Sequence, residues 1–252
     1  MKQFAIALAK KAGTFLLRHF QKDHSLVSKR TVAKGLHTRY DQKSDQIIVS
    51  AIKKRYPTHN ILTEESGYRN KNSEYTWIID PLDGSTNFAR GIPFFAVSIA
   101  VMKGKDLVIG VVYAPFLKEL YVAEKGKGAF LNNKKLHVSK TTTFHNSYFL
   151  SCEGGDATNK RLAKINALFH PKVKDLRKLG SAALESSSVA SERADAYIVP
   201  NIAPWDVAAG VLIVEEAGGK VTDFTGKPWK PQQGNYVFSN GRMHQKILSL
   251  LR

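Results

Sequence analysis

The stretch WIIDPLDGSTNF, residues 77–88, places two carboxylates three residues apart at the end of an apolar run. Asp80 ends a predicted strand, and Pro81 makes the following turn rigid, so Asp83 is held close to Asp80. Two such carboxylates repel each other unless they are protonated or bridged by a cation. Hard cations prefer oxygen ligands, to which the carbonyl of Leu82 would add one more. The stretch therefore predicts a Mg²⁺ site.

The residues after Asp83 have the composition of an anion-binding turn. Gly84 carries no side chain at a point where the backbone would have to approach a ligand, and Ser85 and Thr86 resemble a helix start. The free N–H groups of a helix start suit a phosphate. Gly84, Ser85 and Thr86 are therefore predicted to bind substrate. The alternative is a tight Asp-Pro-x-Asp-Gly turn that only caps a helix.

Two further stretches supply acidic residues of the same kind. ILTEESG, residues 61–67, places Glu64 in a glycine-bearing loop, and PWDVAAGVLIVEEAGG, residues 204–219, places Asp206 in the first turn of a helix. The helix dipole helps to keep Asp206 ionised, as a metal ligand must be. Taken singly, Glu64 could belong to a solvated loop and Asp206 could simply stabilise its helix.

Composition limits the class of protein. The 252 residues are 43% hydrophobic, enough for a sizeable core in one domain or in two closely packed lobes. The formal charge of +17 attracts anions such as phosphorylated metabolites, nucleic acid or an acidic partner. The lysines are spread along the chain, and no helix-turn-helix or zinc-finger spacing is present. A solvated basic surface is therefore favoured over a dedicated nucleic-acid site.

Several other classes are disfavoured. No apolar run approaches the length of a membrane span, so no membrane association is expected. The single cysteine, Cys152, rules out an intrachain disulfide and fits a cytoplasmic protein, and packing is its expected role. The eight histidines show no HExxH pattern, which makes a zinc site improbable.

The pattern of apolar residues predicts a layered protein. Helices are expected over residues 2–20, 41–56, 158–169 and 205–217, and from about residue 181. A buried strand at 77–80 and a β-meander over 94–126 make the first half β-rich, whereas strands and helices alternate in the second half. We expect one domain, 1–252, with an α+β lobe at 1–145 and an α/β lobe at 146–252.

The three acidic motifs, in this order and at these separations, resemble those of the inositol monophosphatase family of Mg²⁺-dependent, lithium-sensitive phosphatases. KGKGAFLNN, residues 125–133, and SAALESSSVA, residues 181–190, fit the same family. The resemblance runs over nearly the whole chain and is strongest to the bacterial inositol-1-monophosphatase and extragenic-suppressor branch. It implies a fold of the α+β or α/β class, the layered αβαβα sandwich of the sugar phosphatases.

The resemblance also implies the metal ligands. Glu64, Asp80 and the Leu82 carbonyl would hold the first Mg²⁺, and Asp80, Asp83 and Asp206 the second. The substrate phosphate would bridge the metals and meet the backbone N–H groups of the turn at residues 84–85. Hydrolysis would then proceed by in-line attack of a metal-activated water, without a covalent enzyme intermediate.

By the same resemblance, Ser85 and Asp41 are the catalytic pair that orients the attacking water. Serine stands here where the family has threonine. It offers the same hydrogen bonds but lacks the methyl group that restricts the rotamer.

The resemblance leaves the substrate open. Inositol-specific members often carry a glutamate seven residues before the last metal ligand, and Val199 stands there. Inositol 1-phosphate or a related small sugar or polyol phosphate is expected, with fructose bisphosphate or a nucleotide 3′-phosphate as alternatives. Relatives that cleave nucleotide 3′-phosphates tend to have lysine at the position of Thr86, which argues weakly against that branch. An alternative of another class is a non-enzymatic basic partner of the transcription machinery or of RNA. We also expect a homodimer.

Overall fold

A computed structural model describes residues 1–22, 38–152 and 159–251 of the chain. The first half supplies eight strands: β1 (Asn60–Thr63), β2 (Gly67–Arg69), β3 (Tyr75–Asp83), β4 (Ala96–Lys103), β5 (Asp106–Ala114), β6 (Glu119–Glu124), β7 (Ala129–Leu131) and β8 (Lys134–Lys135). They form one sheet in the order β2-β1-β3-β4-β5-β6-β7-β8, in which only β1 and β3 run parallel. The β-meander predicted from the sequence is thus confirmed for β4, β5 and β6.

The second half supplies a separate sheet of five strands: β9 (Tyr148–Ser151), β10 (Asp175–Arg177), β11 (Ala196–Ile202), β12 (Lys220–Asp223) and β13 (Gly234–Ser239). Their order is β10-β9-β11-β13-β12. The two sheets thus come from opposite sides of residue 145, but a division into two lobes stays a prediction.

Seven α-helices lie in the described residues: α1 (Lys2–His19), α2 (Arg39–Arg55), α3 (Ser85–Ala89), α4 (Asn159–Phe169), α5 (Ala182–Ala190), α6 (Pro204–Glu216) and α7 (His244–Leu251). Each long helix predicted from the sequence is present, with ends that differ by one or two residues. The second begins at Arg39 instead of residue 41, because Thr38 caps it and Asp41 completes the capping box.

The elements stack in five layers. α1 and α2 cover the outer face of the eight-stranded sheet, α5 and α6 lie between the two sheets, and α4 and α7 cover the outer face of the five-stranded sheet. The fold is therefore the layered α+β sandwich expected from the sequence. No helix in the described ranges is both long enough and apolar enough to cross a membrane.

The central position of α6 follows from its sequence. Its residues from Val207 to Val214 are all buried, so the helix is apolar on every side and needs a partner on every side. Gly110 of β5 permits the closest approach, because a Cβ there would lie 2.8 Å from the carbonyl oxygen of Ala209. This packing brings the first turn of α6 beside the end of β3.

Candidate active site

The strand β3 ends in the Asp-Pro-Leu-Asp segment, which is held by a β-bulge. Asp80 pairs with Ser98 of β4, and Asp83 pairs with Ala96. Between these two pairs β3 advances by three residues while β4 advances by two. Regular alternation would send the two aspartates to opposite faces of the sheet, and the extra residue removes that alternation. Ser44 of α2 fixes the segment by donating a 2.7 Å hydrogen bond to the carbonyl oxygen of Pro81.

Three carboxylates converge at this end of β3. One carboxylate oxygen from each of Glu64, Asp80 and Asp206 lies within 4.8 Å of the other two. Glu64 follows β1, which runs parallel to β3, so both acids lie at the carboxyl ends of adjacent strands. Asp206 comes from the first turn of α6, where its Oδ2 accepts a 3.3 Å hydrogen bond from the N–H of Ala203.

The electrostatics of this cluster favour a bound cation. Burial raises the pKa of Asp80 well above its usual range, and the charges of Glu64, Asp83 and Asp206 raise it further. Burial, followed by the charge of Asp83, raises the pKa of Asp206 to about 8. In the described part of the chain, neither Asp80 nor Asp206 forms an ion pair with lysine or arginine. A donor set of carboxylate oxygens alone fits a hard divalent cation.

Asp83 is oriented differently from the three clustered acids. Its carboxylate accepts hydrogen bonds from the hydroxyl of Ser181 and from the N–H groups of Ala182, at 3.1 Å, and Ala183, at 2.9 Å. Burial raises the pKa of Asp83 to about 6, although these donors act to lower it. Asp83 thus faces the first turn of α5 and is not part of the three-oxygen cluster, though its charge acts on Asp80 and Asp206.

Asp41 and Ser85 form a hydrogen-bonded pair. The Ser85 hydroxyl donates to Asp41 Oδ1 over 2.5 Å, while the backbone N–H and the hydroxyl of Thr38 both donate to Oδ2 at 2.6 Å. Burial raises the pKa of Asp41, and the hydrogen bonds from Ser85 and Thr38 oppose that rise. The pairing inferred from the sequence is therefore present as geometry.

The Ser85 oxygen also lies 2.8 Å from the carbonyl oxygen of Leu82. A hydroxyl has a single proton, and an ionised Asp41 is the stronger acceptor of the two. The Leu82 carbonyl thus adjoins the Ser85 hydroxyl and keeps a lone pair for another partner.

Gly84 has a backbone conformation that glycine adopts far more readily than other residues. Its φ is +88°, and an added Cβ would lie 2.9 Å from the carbonyl oxygen of Phe94. Only glycine fits both conditions. The short helix α3 begins directly after it, so the N–H groups at its start lack intrahelical acceptors, and Thr86 is exposed.

Sequence reasoning missed two polar residues that support the site. Asp45 is buried and accepts short hydrogen bonds from Thr63 and Ser66, the residues on either side of the Glu64–Glu65 pair. The available signal was its position four residues after Asp41, which places both acids on one face of α2.

Asn87 is the second missed residue. Its side-chain amide donates to the carbonyl oxygens of Phe94, at 2.8 Å, Leu179, at 2.8 Å, and Gly180, at 3.3 Å. It thereby joins the loop after β3 to the turn before α5, which lies about 90 residues further along the chain. A single asparagine in a motif gives no hint of such distant partners.

Val199 lies on β11 opposite Tyr236 and is completely buried in the core beside α5 and α6. Its side chain can offer a substrate no hydrogen bond. A glutamate at this backbone position would have to enter the core unless β11 shifted.

Comparisons with known proteins agree with this geometry. The whole chain, residues 1–252, matches the inositol monophosphatase family. The chain belongs to that family. Its members are metal-dependent phosphatases, so the protein is a phosphoric monoester hydrolase.

Individual relatives carry two kinds of name. A Thermotoga maritima protein named fructose-1,6-bisphosphatase/inositol-1-monophosphatase is 36% identical, and the alignment covers 98% of this chain and 94% of that protein. An Escherichia coli (strain K12) protein named Nus factor SuhB is 37% identical, with 100% and 96% covered. The crystal structure of the extragenic suppressor protein suhB from Bartonella henselae superposes with a TM-score of 0.93 at 33% identity, covering 99% of this chain and 97% of that one.

Proposed function

We propose that this family member is a Mg²⁺-dependent phosphomonoesterase that hydrolyses inositol 1-phosphate and related small sugar or polyol phosphates. The observation that carries the proposal is the convergence of Glu64, Asp80 and Asp206 beside the hydrogen-bonded pair of Ser85 and Asp41. An oxygen-only cluster next to an oriented hydroxyl suits metal-assisted hydrolysis.

The clustered acids would hold the metal, with the Leu82 carbonyl and Asp83 as the further ligands implied by the family. When bound, Mg²⁺ would neutralise charge on the phosphoryl oxygens and lower the pKa of a coordinated water. The N–H groups of Gly84, Ser85 and Thr86, at the start of α3, would bind phosphate oxygens.

The catalytic pair has a defined proton arrangement. The Ser85 hydroxyl donates its hydrogen bond to Asp41. The lone pairs of the Ser85 oxygen can therefore accept a hydrogen bond from another donor. A water that donates to this oxygen would be held in one orientation for attack on phosphorus. Thr38 keeps Asp41 in place through two hydrogen bonds.

The substrate range follows from what contacts the alcohol part of the ester. Val199 is buried, so this position gives no hydrogen bond to a sugar hydroxyl. The fructose-1,6-bisphosphatase/inositol-1-monophosphatase name of the T. maritima relative fits a site that accepts more than one small phosphate ester. We therefore propose strong recognition of phosphate and weak recognition of the alcohol.

A phosphate-release assay tests both parts of the proposal. Activity should disappear with a chelator and return with Mg²⁺, and Asp80→Asn should be inactive under both conditions. Across inositol 1-phosphate, sugar phosphates, fructose bisphosphate and nucleotide phosphates, efficiencies should differ modestly. Full activity in chelator would refute the metal requirement. A preference for one ester by orders of magnitude would refute weak alcohol recognition.

A second candidate function, RNA binding, is favoured by the charge of the outer layer formed by α1 and α2. The solvent-facing surface of α1 and α2, here called the α1–α2 outer face, exposes only basic charged residues: Lys10, Lys11, Arg18, Arg39, Lys43, Lys53, Lys54 and Arg55. The two acidic residues of these helices, Asp41 and Asp45, are buried toward the site. A surface without exposed carboxylates suits a polyanion, and the name Nus factor SuhB points to transcription.

Binding of a labelled single-stranded RNA at two salt concentrations tests this candidate. Lys53→Glu/Lys54→Glu should weaken binding about tenfold or more and reduce its salt dependence, since phosphate contacts release counterions. The matched control, Lys160→Glu/Lys164→Glu, reverses two exposed lysines on α4 in another layer. Equal losses in both variants would show a general charge effect and exclude a specific face.

A further inference from the structure

The buried carboxyl group of Glu185 has no part in the site described so far. Glu185 lies in the first turn of α5, between the two sheets, with no exposed surface. Its Oε1 accepts hydrogen bonds from the N–H groups of Leu179, at 2.7 Å, and Gly180, at 3.4 Å. Its Oε2 accepts from no N–H or O–H group of the described residues. Burial raises the pKa of this carboxyl group, whereas the Cys152 thiol acts on it as a hydrogen-bond donor and opposes that rise. Burying a carboxyl group costs free energy unless its contacts compensate for the lost water. The contacts of Glu185 should therefore have a structural or functional role.

Capping of α5 is not that reason. Ser181 caps the helix, since its hydroxyl oxygen accepts from the N–H of Leu184 at 3.4 Å. The N–H groups of Ala182 and Ala183 donate to Asp83. The two donors to Glu185 instead precede the helix, in the turn of residues 179–181.

That turn is held from both sides. Asn87 donates to the carbonyl oxygens of Leu179 and Gly180, while Glu185 accepts from the N–H groups of the same two residues. Gly180 has a φ of +82°, a conformation that few other residues adopt without strain. The backbone path into Ser181 is therefore fixed by two side chains, Asn87 on its carbonyl groups and Glu185 on its N–H groups.

The turn leads directly to the groups that hold Asp83. The Ser181 hydroxyl and the N–H groups of Ala182 and Ala183 all donate to the Asp83 carboxylate. A change in the path of residues 179–180 would move these three donors relative to β3. The backbone of residues 179–183 thus links Glu185 to the donors that hold Asp83, in addition to the repulsion between the two carboxyl groups.

We propose that Glu185 is a positioning residue of the hydrolytic site, which fixes the turn of residues 179–181 so that Ser181, Ala182 and Ala183 orient Asp83. The catalytic part of this inference rests on the proposed phosphatase function. What the arrangement requires of Glu185 is an acceptor atom that reaches two N–H groups, and it does not require a negative charge.

Three variants separate reach from charge. Glu185→Gln keeps an acceptor at the same distance but cannot ionise. Glu185→Asp keeps an ionisable carboxyl group but is one methylene shorter. Glu185→Met keeps the length and offers these N–H groups only a thioether, a weak acceptor. The matched control is Ser188→Ala on the same helix, because the Ser188 hydroxyl donates only to the Leu184 carbonyl, 2.7 Å away.

The first measurement is amide hydrogen exchange by NMR on metal-free protein. Glu185→Asp and Glu185→Met should each lower protection at Gly180, Ala182 and Ala183 by about tenfold, as expected for losing a typical buried hydrogen bond. Glu185→Gln and Ser188→Ala should leave the protection there near that of the wild type. Unchanged protection in a folded Asp or Met variant would overturn the positioning role, and so would a loss in the Gln variant equal to that in the Met variant.

The second measurement is steady-state hydrolysis with the Mg²⁺ concentration for half-activation. The Asp and Met variants should lower kcat and raise that Mg²⁺ concentration, whereas the Gln variant should match the wild type. If amide exchange changes and the kinetics do not, the conclusion that Glu185 positions the turn stands, but the conclusion that this positioning affects catalysis fails. If the wild type releases no phosphate, the phosphatase proposal fails, while the exchange result still decides the positioning role.

Discussion

The carboxylate cluster should make the metal-free protein less stable than a variant that lacks one of its charges. The change that tests this is Asp206→Asn, which removes a charge while an amide oxygen can still accept from the N–H of Ala203. In the absence of metal, we expect the variant to unfold at a higher temperature than the wild type at pH 7. In saturating Mg²⁺ the order should reverse, because the wild type gains a bound cation and the variant loses a ligand.

The magnitude follows from the pKa of Asp206, which is raised to about 8 from the 3.8 expected for an unfolded chain. Because folding raises this pKa, the protonated Asp206 carboxyl group makes its full contribution to the stability of the folded state below about pH 4. That contribution is lost as the pH rises toward 8. At about 1.4 kcal/mol for each pH unit, the loss at pH 7 is at most about 4 kcal/mol. Asp206 is only half-buried, and solvent screening reduces the effect to about 2 kcal/mol.

Thermal unfolding followed by circular dichroism measures this difference. A change of about 2 kcal/mol corresponds to about 4–8 °C in Tm for a chain of this length. The difference in Tm between the variant and the wild type in chelator should become smaller as the pH falls toward 4. Asp106→Asn is the control, because Asp106 is exposed and its ion-pair partner in the described part of the chain is Lys125. A variant that is less stable than the wild type in chelator at pH 7 would refute the electrostatic reasoning.

Substitutions at three other positions have expected outcomes. Ser85→Ala should lower kcat by about 10²–10⁴-fold with little change in KM, and Ser85→Thr should stay active; an unchanged kcat in the alanine variant would remove the residue from the mechanism. Gly84→Ala should lose activity and about 2 kcal/mol or more of stability in denaturant titrations, because its Cβ would press on a carbonyl oxygen at a positive φ. Val199→Glu should destabilise the protein by about 3 kcal/mol or more, since the carboxylate would enter the core. A stable variant with a new preference for inositol 1-phosphate would instead show that β11 can shift to turn this side chain toward the substrate.

Local sequence predicted the parts of the site that depend on neighbouring residues. The glycine turn and the start of α6 near Asp206 follow from short patterns. The strand was expected to end at Asp80, whereas β3 continues through the bulge to Asp83. The eight-stranded sheet was foreseeable in part, because the β-meander joins strands that are adjacent in sequence. The helix that contains Asp41 was also foreseeable, although its capping by Thr38 moved its start.

The sequence did not reveal contacts that depend on distant packing. Asp83 has partners about 100 residues away, at the start of α5, and these depend on how α5 lies against β3. The inward direction of Val199 depends on the register of β11 with β13, and a shift of one residue would reverse it. Glu185 has an ordinary place in a helical first turn, and only its burial separates it from a helix-capping charge.

The distribution of charge explains how a chain of +17 contains so acidic a site. Among the described residues, α1 and α2 turn only basic charges to solvent, while Asp41 and Asp45 lie on the inward face of α2. A phosphorylated molecule would thus approach a cationic exterior, which raises its local concentration. At the site it would meet Asp80 and its acidic neighbours, which repel an anion unless a cation is bound. We therefore expect the fixed lysines and arginines to attract phosphate from a distance, and binding at the site to depend on a bound cation.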